Sequence, residues 1–287
     1  MRSVEEVRES QVEWARRHGV AVDADGYVGS LEENLVVPMS AETRREFGGG
    51  SGSELGGEDG RGKMQALHSS SALAYNLFEY WRHRQDRGPL QRALGLDEPV
   101  RSISFEVQFP TGLRGTPPNL DVVLECDDHL IGIESKFLEP FTSTRPFASF
   151  SDSYFPEGRK LWGELGLYRC GAVAAGIRCG ELEFRFLDAP QLLKHALGLW
   201  RHDRAAVSLW CLYFELSGDL GAELDRELSA FRGLVGDELN FEAHSYQDVV
   251  ERLAADAESD SYDQYVRYLR GRYGRTDAQG DRGAHVT

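Results

Sequence analysis

Asp121, Glu134 and Lys136 are the residues of this 287-residue chain whose types and spacing point most directly to chemistry. Asp121 stands in the run NLDVVLE and the other two in LIGIESKF, with CDDH between the runs. Both runs are rich in Val, Ile and Leu, which predicts the two strands of a β-hairpin. A tight turn centred on Asp127 and Asp128 pairs Cys126 with His129 and sets Asp121 opposite Glu134. Lys136, two residues beyond Glu134, then shares its face, and Val122, Leu124, Ile131 and Ile133 share the other. Carboxylates opposed across a strand pair repel each other unless a cation intervenes. Oxygen donors, few in number and with room for water, suit magnesium, for which manganese can substitute. Such an ion acidifies a water and stabilises charge on a phosphate, while the Lys136 ammonium positions or stabilises the attacking hydroxide. The chemistry expected of this set is phosphodiester hydrolysis.

The elements that must position the hairpin are legible on either side of it. SISFEVQF, residues 102 to 109, alternates apolar with polar residues and predicts a strand with Glu106 on its polar face. HSSSALAYNLFEYWRHR, from His68, has helical apolar spacing, with Ser69 or Ser70 as its cap. LEFRFL predicts a short strand or extended lead-in, DAPQLLKHALGLW a helix opening at Asp188, and VSLWCLYFEL a buried strand. The order is β, β, β, α, β. Residues 3 to 18 and three segments beyond Gly218 read as amphipathic helices, and residues 138 to 180 as an irregular insertion with a short helical stretch around Leu161 to Tyr168.

Bulk properties bound the reading. A hydrophobic content of 41% over this length supports a buried core. No run approaches the roughly 18 apolar residues of a membrane span, and the charged start MRSVEEVRESQVEW lacks a signal peptide's apolar segment, so a cytoplasmic protein without membrane contact is expected. The four cysteines form no CxxC pair and predict neither a zinc site nor a disulfide framework. A net charge of −15 opposes nucleic-acid binding in bulk, but a nuclease needs only a local basic groove, and metal ions offset acidic ligands.

Other candidate features have plainer explanations. Gly57 to Lys63 satisfies G-x-x-x-x-G-K, the phosphate-cradling loop of nucleotide-binding enzymes, but Met64 replaces the required hydroxyl and a Gly/Ser tract replaces the strand, so it reads as a chance match. His68, His129 and His195 do not share a metal-ligand spacing and read as solvated or core histidines.

NLD-V-V-L followed after twelve residues by E-S-K resembles the signature of PD-(D/E)XK nucleases, with Asn119 and Leu120 in place of its Pro-Asp opening. With HSSSALAYNLF and FEVQFP, the similarity extends to bacterial proteins described as restriction endonucleases and spans about residues 30 to 215. It implies an α/β fold: a restriction-endonuclease-like three-layer α/β/α core with a central four-stranded mixed sheet and extra helices. It also implies metal held by Asp121, Glu134 and the backbone carbonyl of Ser135. Glu106 matches the place of an additional acidic ligand in related nucleases, with a solvated strand residue as the alternative, and Gln191 and Lys194 lie where some relatives contact the metal-bound water or the DNA backbone. The expected organisation is an N-terminal helical arm (1–46), a glycine-rich loop (47–63), the nuclease core (64–217, with its insertion at about 138–180), C-terminal helices packed on the core (218–273) and a disordered tail (274–287).

The expected function is a metal-dependent deoxyribonuclease of restriction or phage defence acting on DNA. Cutting both strands of a duplex calls for two sites and so for a homodimer. Two alternatives stay open at this point: a structure-specific or repair nuclease of the same fold, and a catalytically inactive DNA- or protein-binding module.

Overall fold

The alternating segment after residue 101 forms strand β1 (Ser102–Gln108), and the two aliphatic runs form β2 (Asn119–Glu125) and β3 (Leu130–Lys136). This computed structural model describes residues 3–275 apart from 51–52, 57–59, 143–146, 148, 203–206 and 257–259. The β2–β3 hairpin has the expected register: Glu125 pairs with Leu130, Leu124 with Ile131 and Val122 with Ile133. At its turn the Cys126 amide donates to the His129 carbonyl at 2.7 Å. β1 pairs antiparallel with β2. β4 (Val207–Tyr213), nearly all buried as its apolar run requires, lies parallel to β3, and β5 (Phe241–Ser245) lies parallel to β4.

The mixed sheet therefore has five strands in the order β1-β2-β3-β4-β5, and the expected count of four is corrected. The extra strand is FEAHS, whose interior Glu242 and His244 hide the apolar signature of a strand. LEFRFL, by contrast, forms no strand. The amides of Arg185, Phe186 and Leu187, which a ladder would use, donate to the Glu227 carboxylate at 2.7 to 2.9 Å.

The described helices are α1 (Val4–Arg17), α2 (Ala41–Gly49), α3 (Ser70–Arg82), α4 (Gly88–Leu94), α5 (Glu139–Thr142), α6 (Tyr168–Cys179), α7 (Ala189–His202), α8 (Asp219–Val235), α9 (Tyr246–Ala255) and α10 (Asp260–Tyr273). Ser69 caps α3 by accepting from the Ala72 amide at 3.2 Å. The glycine-rich stretch begins inside α2, because Phe47 is buried and stacks on Phe105 with ring centroids 5.4 Å apart. In the insertion the helix starts at Tyr168 rather than near Leu161. A 3-10 turn at Gly163–Leu165 comes first and is closed by Gly166 at φ +80°.

Two cores make three layers, α/β/α. Val122, Leu124, Ile131, Ile133, Trp210 and Leu212 face a core that contains residues of α3, α9 and α10. Leu120, Val123, Leu209 and Cys211 face the opposite core, with residues of α6, α7 and α8. The N-terminal residues are tied in by Arg272 of α10, 3% exposed, which donates to Gln11 Oε1 and to the Asn34 carbonyl, each at 2.9 Å. Among the described residues no helix is long and apolar enough to cross a membrane.

Candidate active site

Alternation sends Val122 and Ile133 toward α3 and Glu134 and Lys136 toward Gln191 and His195 of α7, and Asp121 joins the latter two in one cleft. The ladder between β2 and β3 runs as far as Val122–Ile133, one step short of the Asp121–Glu134 position. Beyond it the Ser135 amide donates to Asp121 Oδ2 at 2.7 Å, so a side chain does the work of a ladder carbonyl. Ser135 itself is split in direction. Its hydroxyl turns the other way, 2.7 Å from Tyr246 Oη and 3.2 Å from the Ser70 carbonyl, and anchors β3 to α9 and α3.

Glu134, its side chain 3% exposed, is gripped from two sides. Lys136 Nζ donates to Oε1 at 2.7 Å, and Nε2 of His195 stands 2.9 Å from Oε2 without the alignment of a hydrogen bond. Lys136 Nζ also donates to Gln191 Oε1 at 3.0 Å. Burial pushes the Glu134 carboxyl up, but the Lys136 ammonium and His195 outweigh it and hold the group at about 2. For Lys136 the balance is the mirror image: burial works against its charge, and Glu134 and Asp121 hold the proton on. For Asp121 the relief from Lys136 and the Ser135 amide is not enough. Burial, with repulsion from Glu134 and Glu106, raises it well above the ordinary aspartate value.

Glu106 joins this group through an unusual backbone. It has φ +53°, the left-handed region for a residue other than glycine, and it is skipped in the ladder although Phe105–Val122 and Val107–Leu120 pair on either side. Strain of this kind costs about 1–3 kcal/mol and persists where the surroundings impose it. Glu106 Oε2 accepts from Asn119 Nδ2 at 2.6 Å. Burial raises its carboxyl to about 7, with Glu54 and Glu134 adding to the rise and Asn119 and Lys63 opposing it.

A raised carboxyl opposes folding once it ionises. The stability held below the ordinary glutamate value is lost as pH climbs through about 7. Metal-free protein is therefore expected to melt at a lower temperature at about pH 8 than at about pH 5, and Glu106→Gln to flatten that dependence. Thermal melts of both proteins across this range provide the check, and parallel curves would remove Glu106 as the cause.

These groups open on a cleft of about 530 Å³, also lined by Arg8, Lys63, His68 and Glu139. Of the residues expected from sequence, Asp121, Glu134, Ser135, Lys136 and Gln191 line it, and Glu106 adjoins it. Lys194 does not: its Nζ lies 5.3 Å from the ring centroid of Phe150 and 5.9 Å from that of Tyr154, and donates to the Ser149 carbonyl. His195, read from sequence as a solvated or core residue, is buried against Glu134. The signal for it was its spacing of four from Gln191, which puts both on one face of α7.

The chemistry of this donor set is that of a hard divalent cation's ligands: Asp121, Glu134 and Glu106 repel one another at one point, a repulsion such an ion would relieve, and Glu134 Oε2 is buried without an aligned hydrogen bond. Among the described residues no three His, Cys, Asp or Glu side chains are yet gathered in ligand geometry, and Glu134 has first to exchange its grip on Lys136 or His195.

The family model described as Restriction Endonuclease associating with ARP matches residues 8–274 of the chain. No curated protein and no solved structure matches it.

Proposed function

The chain belongs to the family Restriction Endonuclease associating with ARP, and from that premise we propose that it is a magnesium-dependent deoxyribonuclease of the PD-(D/E)XK type. The observation that carries this reading is the convergence of Asp121 and Glu134 on Lys136 in a water-accessible cleft, with Glu106 beside Asp121. Asp121, Glu134 and the main-chain carbonyl of Ser135 would hold the ion, and manganese could substitute. The ion supplies positive charge against the phosphate and makes a nearby water easier to deprotonate.

The chain's own residues do the rest. Gln191 and Glu134 fix the Lys136 ammonium from two sides, so its remaining proton points to the attacking water or the developing charge. His195 and Lys136 set the Glu134 carboxylate, and the Ser135 amide sets that of Asp121. Glu106, close to half-ionised near neutrality, is suited to take the water's proton.

The test is cleavage of supercoiled plasmid and of duplex and single-stranded DNA, methylated and unmethylated, with and without magnesium or manganese. Cutting that requires the metal is expected, and inertness across the whole panel would sink the reading. A defence role and a homodimer, which would bring two sites to one duplex, belong to the same proposal.

One observation favours a second reading, an inactive binding module: Glu134 is already engaged by Lys136 and His195. Calorimetry separates the two, because an inactive module gives no magnesium heat that Asp121→Asn removes.

A further inference from the structure

The catalytic cleft of an acidic chain still has to hold the phosphates that flank the one being cut, and its cations differ sharply in how free they are to do so. Lys136 is engaged by Glu134 and Gln191. Arg61, just outside, is bound by Asp23 and Asp25 and lies over the Tyr27 ring. Arg8 is different. Projecting from α1 into the cleft, it makes no ion pair or hydrogen bond among the described residues, and its Nε is shut off from water without a partner. A guanidinium nitrogen left in that state carries the full cost of its lost hydration, a cost that a bound anion would remove.

Lys63 faces the same cleft. It is presented by a tight backbone crossing, in which the Lys63 amide donates to the Ser53 carbonyl at 3.2 Å and the Met64 amide to the Glu54 carbonyl at 3.0 Å. Glycine is required there, since a Cβ on Gly62 would collide with the Glu54 carbonyl and one on Gly56 with the Gly60 carbonyl. One ammonium proton goes to Glu54 at 3.1 Å; the side chain is 59% exposed and keeps two donors. Glu139, a further carboxylate of the cleft, accepts from the Ser70 and Phe137 amides and makes no ion pair with Arg8 or Lys63 among the described residues.

From this we infer that Arg8 and Lys63 form a phosphate clamp at the mouth of the cleft, holding the DNA backbone beside the scissile position. The inference rests on the nuclease reading and extends it to the substrate's backbone. The G-x-x-x-x-G-K match thereby gains a role unlike that of a nucleotide-binding loop: its lysine meets a phosphodiester, and its Gly62 serves the crossing, while Gly57 lies outside the described residues. The side of the clamp is set as well. A neighbouring groove of about 710 Å³ shares Arg8 and His68 and is lined by Glu5, Glu9, Glu13, Asp25 and Arg16, but not by Lys63 or Lys136. The clamp's two cations thus come together only on the catalytic side of Arg8.

The experiment measures binding of fluorescein-labelled duplex and single-stranded oligonucleotides to the full chain carrying Asp121→Asn, which cannot cut, over a range of salt. Adding Arg8→Gln or Lys63→Gln should weaken binding several-fold and lower the slope of log affinity against log salt by about 0.7–0.9 for each phosphate that is no longer neutralised. Lys63→Arg should preserve the slope, and Arg226→Gln, an exposed cation of α8, should leave it unchanged. Melting curves identify any variant that fails to fold, and Arg8→Lys then tests the same charge with a smaller change. An unaltered slope in folded Arg8 and Lys63 variants, with the parent binding and the wild type cutting, overturns the clamp alone. A parent that binds no DNA and a wild type that cuts none overturn the clamp together with the nuclease reading.

Discussion

Lys136→Ala is expected to lower metal-dependent DNA cleavage by about 10²–10³-fold, the usual cost of removing one preorganised donor from a developing negative charge. Among the described residues no other lysine or arginine pairs with Glu134, and Lys194 is drawn off to Phe150 and Tyr154. The substitution also reaches the ground state. Without Lys136 the nearly buried Glu134 keeps only His195 against the repulsion of Asp121, so its carboxyl should rise from about 2. Removing one partner of a buried ion pair costs about 3–5 kcal/mol, but the Lys136 side chain is 20% exposed and water entering from the cleft should reduce that loss. Melting and single-turnover cleavage must therefore be measured on the same preparation. A folded Lys136→Ala protein that cuts at the wild-type rate would remove the lysine from the mechanism.

That Asp121, Glu134 and Lys136 meet was legible because a hairpin with a tight turn leaves one register; the alternation itself breaks at the start of β2, where Leu120 faces the α7 core and Val122 the α3 core. Helix rotation is less determinate. α7 was readable as an element, but Lys194 and His195 differ by one residue, about 100° around the axis, and packing against the sheet decides which of them meets Glu134. Glu106 fits an alternating strand, and nothing in SISFEVQF announces the positive φ that takes it out of the ladder. β5 was missed because three of its five residues are only partly buried, so its pattern lacks the aliphatic run that revealed β4. Residues 182 to 187 misled for the opposite reason. Their alternation is strand-like, but Glu227, 40 to 42 positions away, takes the amides that a ladder would need. Net charge was the poorest guide, for −15 says nothing of an unpaired Arg8 turned into the cleft.

Asp121→Asn should separate stability from function most sharply: the metal-free protein should become more stable while magnesium binding and cleavage are lost. Asp121 is a buried carboxylate raised well above its ordinary value, first by burial and then by Glu134 and Glu106. A group shifted in that direction contributes stability only at low pH, and the contribution is lost as pH rises through the folded value. At neutral pH the charge therefore opposes folding, whereas an asparagine oxygen can still accept from the Ser135 amide without it. A gain of about 1–2 kcal/mol is expected, equivalent to about 2–8 °C in Tm for a domain of this size. Acid should erase the advantage, because near pH 4 the wild-type carboxyl is itself protonated. Magnesium should reverse the order. Wild type gains about 2.7 kcal/mol at a hundredfold excess over Kd, and the asparagine variant, with a weaker ligand and no charge to neutralise, gains little. Melts of both proteins with and without magnesium, at about pH 7 and about pH 4, would reveal this crossing. A wild type indifferent to magnesium, alongside a variant less stable at neutral pH, would mean that Asp121 is buried for structure and that the ion has no place there.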